Sequence, residues 1–214
     1  MKIKAKLFLY MLLFSSIIVL AQCKKDDPDN FDTPDVDELA FTDAEKAIIF
    51  NNDRDSSLYV MNYFIYADSL ILRKQSIDVN LNDTATLNYL IDRMKVAVIK
   101  EGGVGIAAPQ VGINRNIIWV QRLDKTGKPF ECYLNPKIIL YSNKQINFSG
   151  DGCLSIPGVS GTSHRYSAVV VEYDRLDGTH NKELIEGYTI NNFTAVIFQH
   201  EIDHLNGIVF LDRL

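Results

Sequence analysis

Beyond its N-terminus this 214-residue sequence has no run of lysine and arginine, and its net charge is -5. The electrostatic footprint that nucleic acid requires is therefore missing, and no nucleic-acid partner is expected. No segment repeats internally. Uninterrupted hydrophobic runs are also short: the longest, "LFLYMLLFSSIIVLA", falls below the roughly 20 residues a transmembrane helix needs. Cysteine is scarce, with only three in the chain. What remains is ordinary globular composition, 47% hydrophobic and 23% charged, in a chain long enough for one well-buried domain and too short for two.

The short apolar run has its own meaning. Lys2, Lys4 and Lys6 precede it, so residues 1–22 read as a positive n-region and h-region of an export signal. The following "LAQCKKDD" places Cys23 where bacterial lipoproteins carry their lipid-modified first residue, although Gln22 stands where a small residue is usual. The expectation is a signal peptide of lipoprotein type, cut before Cys23, with a membrane anchor on that cysteine. The alternative is an uncleaved anchor ending near Ala21. Both put the folded part outside the cytoplasm, tied to the cell envelope on its periplasmic face or at the cell surface. Residues 23–40 form an acidic tether: Lys24 to Asp43 holds eight acids and two prolines, too little apolar surface to offset the entropy of ordering. Lys25-Asp26-Asp27 also resembles the short signals that send some lipoproteins outward.

The third segment, 41–214, carries the globular patterning. "FTDAEKAIIF" predicts a short helix capped by Thr42 or Asp43. Leu87, Leu90, Ile91, Met94 and Val98 repeat at helical spacing between Asp83 or Thr84 and Gly102, which predicts a helix with one face on the core. "NIIWVQ", "ECYLNP", "KIILYS" and "QINFSG" read as short strands. "SAVVVEYDRLDGTHNKELIEGYTI" reads as a hairpin turning near Asp177-Gly178. A last helix, capped by Asn191 or Asn192, carries "FTAVIFQHEIDHL". The fold class expected is α+β, with antiparallel or mixed sheets wrapped around that C-terminal helix.

In "QHEIDHLNG", His200 and His204 are four residues apart, which on a helix means about 400° of rotation and about 6 Å of rise, so both project from one face. Glu201 stands about 100° round, placed to reach a water and to act as general acid/base. The flanks are apolar, so these polar groups sit in a segment that must be buried, and burial is costly unless they satisfy one another or hold a metal. A protease of the His-Glu-x-x-His type needs a third ligand, and almost no chain follows. Upstream, Cys153 in "SGDGCLSIPG" supplies a thiolate; with two imidazoles it makes a three-ligand site that leaves a position open for catalysis. Such a site brings bound water toward neutrality, where Glu201 can take its proton.

Three stretches in order, "GVGIAAPQ" (103–110), "DGCLS" (151–155) and "HEIDH" (200–204), make the chain resemble a peptide deformylase. The resemblance implies a deformylase-like fold and one divalent metal, Fe(II) with zinc, nickel or cobalt as substitutes, held by Cys153, His200 and His204. It implies that Glu201 shuttles the proton, and that Gln110 and the backbone N-H of Leu154 donate to the oxyanion formed at a formyl carbon. Gly103, Val104 and Gly105 would pair with an N-formyl peptide as an added strand, with Gly105 keeping the backbone bare beside it. The implied activity is removal of the formyl group from formyl-methionyl peptides or a related N-acyl amide, with release of formate.

Two other functions fit the same residues: a His-Glu-x-x-His metalloprotease, and a non-catalytic surface binding lipoprotein of deformylase fold. A Cys132-Cys153 disulfide would abolish the site altogether. Asp151 stands where the family usually has glutamate, one methylene longer, and if that arm holds Arg165 the loop carrying Cys153 is expected to shift. Phe41 to Tyr66 has no counterpart in the family pattern.

Overall fold

A computed structural model describes residues 39–214. The signal segment 1–22 with Cys23, and the tether 23–40 apart from its last two residues, lie outside the described residues. Among the described residues no helix is long and apolar enough to cross a membrane.

The first helix, α1 (Asp43–Ile49), starts where the sequence places it. Thr42 accepts from the Glu45 N-H at 3.2 Å, and Glu45 reaches back to the Thr42 N-H at 2.8 Å, closing a capping box. A second helix, α2 (Tyr66–Leu72), has no side-chain cap hydrogen bond and was not visible in the pattern. The long α3 (Thr84–Lys100) begins at an Asp83 cap and buries all five residues of its apolar stripe. Gly102 follows at φ 68°, the left-handed conformation that stops a helix cheaply only at glycine.

Seven strands follow: β1 (Gly105–Ala107), β2 (Ile117–Gln121), β3 (Phe130–Tyr141), β4 (Gln145–Cys153), β5 (Ile156–Tyr166), β6 (Ala168–Asp174) and β7 (His180–Glu186). The last helix is α4 (Thr194–Leu205). Strands β1-β2-β3-β6-β7 form one sheet in that order, and β4 pairs with β5 in a separate ribbon, every ladder antiparallel. In β2, Ile117 and Trp119 pack with α3 while Ile118 and Val120 pack with α4. The strand is covered on both faces, which is why "IIWV" reads as an unbroken apolar run.

Three expectations need correction. "ECYLNP" and "KIILYS" belong to one strand, β3, whose register shifts between Leu134 and Lys137. Asn135 takes φ 50° at that irregularity and is held by the Val79 N-H at 2.8 Å, while its own amide donates to Asp174 at 3.0 Å. Asn-Pro thus marks a bulge, where proline's missing N-H does no harm. The glycine-rich stretch before Cys153 is likewise strand; Gly150 absorbs a shift in β4 at φ 83°, and only Leu154 and Ser155 make the turn. Finally, Phe193 occupies the α4 cap. Asn192 still accepts from the Thr194 N-H at 3.2 Å, so its side chain does the capping from one residue further out.

The segment ahead of α2, residues 41–65, is a strap that forms part of the core. Phe41, Ile49 and Leu58 are buried in the same cluster as α3. Arg115, 1% exposed, grips Glu45 through two bonds of 2.7 Å and donates to the carbonyls of Leu39 and Ala40. Arg93 interrupts the polar side of α3 as a fully buried cation, donating to Ile49 O at 2.8 Å, Asn51 Oδ1 at 2.7 Å and Ser56 O at 3.1 Å. Arg93→Leu strands these carbonyls without a donor, and a loss on the order of 3 kcal/mol is expected in urea unfolding. A loss under about 1 kcal/mol, the worth of one ordinary hydrogen bond, would mean that the strap is held by its apolar contacts alone.

Candidate metal centre

All twelve residues of α4 are buried, because the sheet covers one side and the β4-β5 ribbon with the C-terminal turn covers the other. Ala195, Phe198, Ile202 and Leu205 join the sheet-side core. His200 and His204 project one turn apart, ring centroids 5.1 Å from each other. Cys153 ends β4 with its sulfur 3.2 Å from His204 Nε2, and one donor atom from each of the three residues lies within 4.8 Å of the others. Cys132 and Cys153 are both free thiols, so the disulfide alternative is excluded. Cys132 packs against the α3 core from β3, where burial pushes its thiol up to about 12.

Behind the three donors stands a chain of charges. Asp151 Oδ1 lies 3.2 Å from His200 Nδ1, and its other oxygen accepts from Arg165 at 3.2 Å. Arg165 also bonds Asp203, which in turn accepts from Arg213 Nε at 3.0 Å. The shorter arm of Asp151 therefore reaches both Arg165 and the imidazole. Burial pushes the Asp151 carboxyl up, but the His200 hydrogen bond and Arg165 outweigh burial and hold it well below the usual carboxylate range. For His200 burial acts downward, and the bonds to Asp151 and Cys153 more than reverse it. For His204 burial and the neighbouring His200 act in the same direction and hold its imidazole well below the ordinary value.

Glu201 is buried beside the donors and outside the ligand set. Burial raises its carboxyl to about 7, against the pull of His200. Its Oε2 and His204 Nδ1 are buried with no hydrogen-bond partner. One sulfur, two imidazoles and a buried carboxylate with a spare oxygen converge at one buried place, a donor set that suits a divalent transition-metal ion.

Cys153, His200 and Glu201 open onto a cavity of about 450 Å³. Gly103, Val104 and Gly105 form one wall, Cys153 and Leu154 another, and Phe193 and Ile197 the apolar floor. Gln110 is fixed in orientation: its Oε1 accepts from the Ala107 N-H at 2.8 Å, so its Nε2 faces Cys153 Sγ at 3.5 Å and Ser155 Oγ at 3.3 Å. A Cβ on Gly105 would collide with the Glu201 carboxylate and lie 2.8 Å from Ile197 Cγ2. The need for glycine there comes first from the glutamate. Strand β1 is an edge strand, and since Val104 gives its carbonyl to Gln121 N at 2.7 Å on the β2 side, alternation turns the polar groups of Gly105 to the open edge.

Every site residue named from the sequence lies at this one place. What that reading missed is support. Met61 N donates to Gln110 O at 2.7 Å and Tyr63 N to Ser155 O at 2.8 Å, so the strap ties the segments of Gln110 and Ser155 together. These are backbone bonds, and no residue type announces them. Asp203 and Arg213 complete the charge chain; a buried aspartate in "HEIDH" was the available signal.

A Cys-His-His set with a glutamate beside it, in an α+β fold whose third donor precedes the helix, defines a metal-dependent hydrolase. Residues 61–214 match the model of the polypeptide deformylase family, and the chain belongs to that family. It is 38% identical over 141 residues to peptide deformylase 2 of Nostoc sp., covering 63% of this chain and 75% of that one. It is 43% identical over 125 residues to the peptide deformylase of Desulforudis audaxviator, covering 58% and 72%. Among solved structures, the Met-Ala-Ser-bound class I type b peptide deformylase of Acinetobacter baumannii matches with a TM-score of 0.65 at 32% identity, over 75% of this chain and 99% of that one. Membership of this family displaces the reading as a general metalloprotease.

Proposed function

We propose that the protein hydrolyses the formyl amide of N-formyl-methionyl peptides or a related N-acyl amide, releasing formate and a free amine. The observation that carries this reading is the fixed Gln110 amide, whose donor faces the metal-site sulfur from a side chain pinned at its other end. A donor aimed there suits a small oxyanion developing beside the site. The Met-Ala-Ser ligand of the Acinetobacter baumannii relative supports a peptide in the cavity.

Cys153, His200 and His204 would hold one divalent ion, Fe(II) by family resemblance, with zinc, nickel or cobalt able to replace it; when bound, its charge polarises the carbonyl and acidifies water. The peptide lies along the open edge of Gly103-Val104-Gly105 as an added strand. Water adds to the formyl carbon while Gln110 Nε2 and the Leu154 N-H receive the negative charge on oxygen. Glu201, with a carboxyl near 7, takes the proton from water and gives it to the amine nitrogen as the C-N bond breaks. The apolar floor of Phe193 and Ile197 limits the bulk water that can compete for that proton.

The test is formate release from formyl-Met-Ala-Ser by the full chain, purified anaerobically and supplied with Fe(II), zinc, nickel or cobalt. One formate per new amine is expected. Peptide binding with no formate under any of the four metals would overturn the enzyme in favour of a binding protein.

The same proposal places the enzyme outside the cytoplasm on a lipid at Cys23, supported by the export pattern of residues 1–22 and the acidic tether. Labelled palmitate should appear on the wild-type chain and vanish with Cys23→Ala. Equal labelling of both would end the anchor.

A further inference from the structure

Helix α2 carries apolar residues on its outside. Phe64, Ile65, Tyr66 and Leu70 stand 46–77% exposed, while Leu72 alone of the seven helical residues is buried. Tyr66, Ala67, Leu70, Arg73 and Lys74 are exposed at i, i+1, i+4, i+7 and i+8, which is one face of a helix, and Phe64 and Ile65 lead into it. The one acid between Phe64 and Lys74 is turned away: Asp68 accepts from the Asn62 N-H at 2.8 Å and from the Tyr59 hydroxyl at 2.9 Å. Arg73 is matched by Asp212, so Lys74 is the charge this face presents. A helix apolar on its inner and outer sides alike belongs in a core or against lipid. With both sides apolar the segment has no amphipathic period, which hid it from the sequence pattern.

We infer that this face lies on the membrane surface, with Phe64, Tyr66 and Leu70 set into the headgroup layer and Lys74 at the phosphates of anionic lipid. The inference rests on the proposed lipid at Cys23. Its occupant follows from where the chain enters the fold. Arg115 holds the carbonyls of Leu39 and Ala40 at 2.9 and 2.6 Å and pairs in a short parallel bridge with Ile77, itself exposed. The adjoining Asn114 donates to the carbonyl of Ile71 at 2.9 Å. The entry point is therefore beside the C-terminal end of α2. Leu39 stands 16 residues after Cys23, a reach of roughly 22 Å as a flexible coil and about 55 Å at full stretch. A folded unit of residues 39–214 measures about 40 Å across, so a lipid at Cys23 most readily serves the face beside the entry point. Tyrosine and phenylalanine suit the interfacial layer, and a lysine stem lies along it with its ammonium at the phosphates.

The experiment uses the full chain, labelled with palmitate, on vesicles of phosphatidylcholine and phosphatidylglycerol in equal parts whose acyl chains carry bromine near the headgroup. Emission from the buried Trp119, the sole tryptophan, is the baseline. Tyr66→Trp adds an emission that the bromine should quench, and Leu184→Trp adds one that it should leave intact. Helix α2 packs beside the turn Ala108–Val111 that follows β1, whereas Leu184 lies on β7, the opposite edge of the large sheet. Adding Leu70→Glu to Tyr66→Trp should abolish the quenching while the chain stays on the vesicles; both positions are exposed, so folding is not at risk. An unquenched Tyr66→Trp chain that floats with the vesicles would overturn the membrane face and leave the anchor standing. A blue-shifted, unquenched emission that grows with protein density would give the face to a second copy instead. A chain that takes no palmitate and stays behind when the vesicles float would sink the anchor, and the docking with it.

Discussion

Replacing Glu201 by glutamine is expected to lower kcat by about 10²–10⁴, the usual worth of a positioned general acid/base, while the protein stays folded and keeps its metal. Glutamine has the same shape, so the close approach of residue 201 to Gly105 is retained. It cannot carry a proton from water to the amine. The carboxylate also sits buried with Oε2 unpartnered, so its removal takes away a desolvated charge and the melting temperature should hold or rise. Steady-state kinetics, metal content and thermal unfolding on one preparation separate these effects. Retention of more than about a tenth of wild-type kcat would remove Glu201 from the proton path.

The second large effect is expected at Cys153. Sharing the apparent ~10–16 kcal/mol of a four-ligand zinc site among its ligands gives about 3 kcal/mol each, so Cys153→Ala should weaken metal binding about 10²-fold or more and take formate release with it. The sulfur approaches His204 and Gln110 from the end of β4 and not from the helix, so its loss leaves α4 intact. Competition against a chromogenic chelator measures the affinity. Unchanged binding would mean that the two imidazoles hold the ion with some other group.

The sequence was most informative where one residue type has one physical use. The i, i+4 histidines and the apolar flanks located a buried helix with two ligands on one face, and the glycine-rich "DGCLS" located the third. Capping residues placed the starts of α1 and α3 to within one residue. Legibility failed where local signals have two uses: Asn135-Pro136 and Gly150 serve as bulges inside strands and not as turns. It failed again where the structure relies on the backbone, as in the bonds from Met61 and Tyr63, and where a charge is buried against the pattern, as Arg93 is. The three-residue β1 is too short to carry any period, yet it forms the edge of the cleft.

The three donor residues belong to parts of the fold that pack separately. His200 and His204 sit on a helix whose apolar residues join the large sheet-side core, while Cys153 belongs with a small cluster around Ile156, Val209 and Phe210. An ion held by all three would work as a rivet between two bodies. Amide hydrogens of the β4-β5 ribbon should then exchange more slowly in the loaded protein, while those in the middle of the large sheet keep one rate, because only the opening of the ribbon pulls a donor away from the other two.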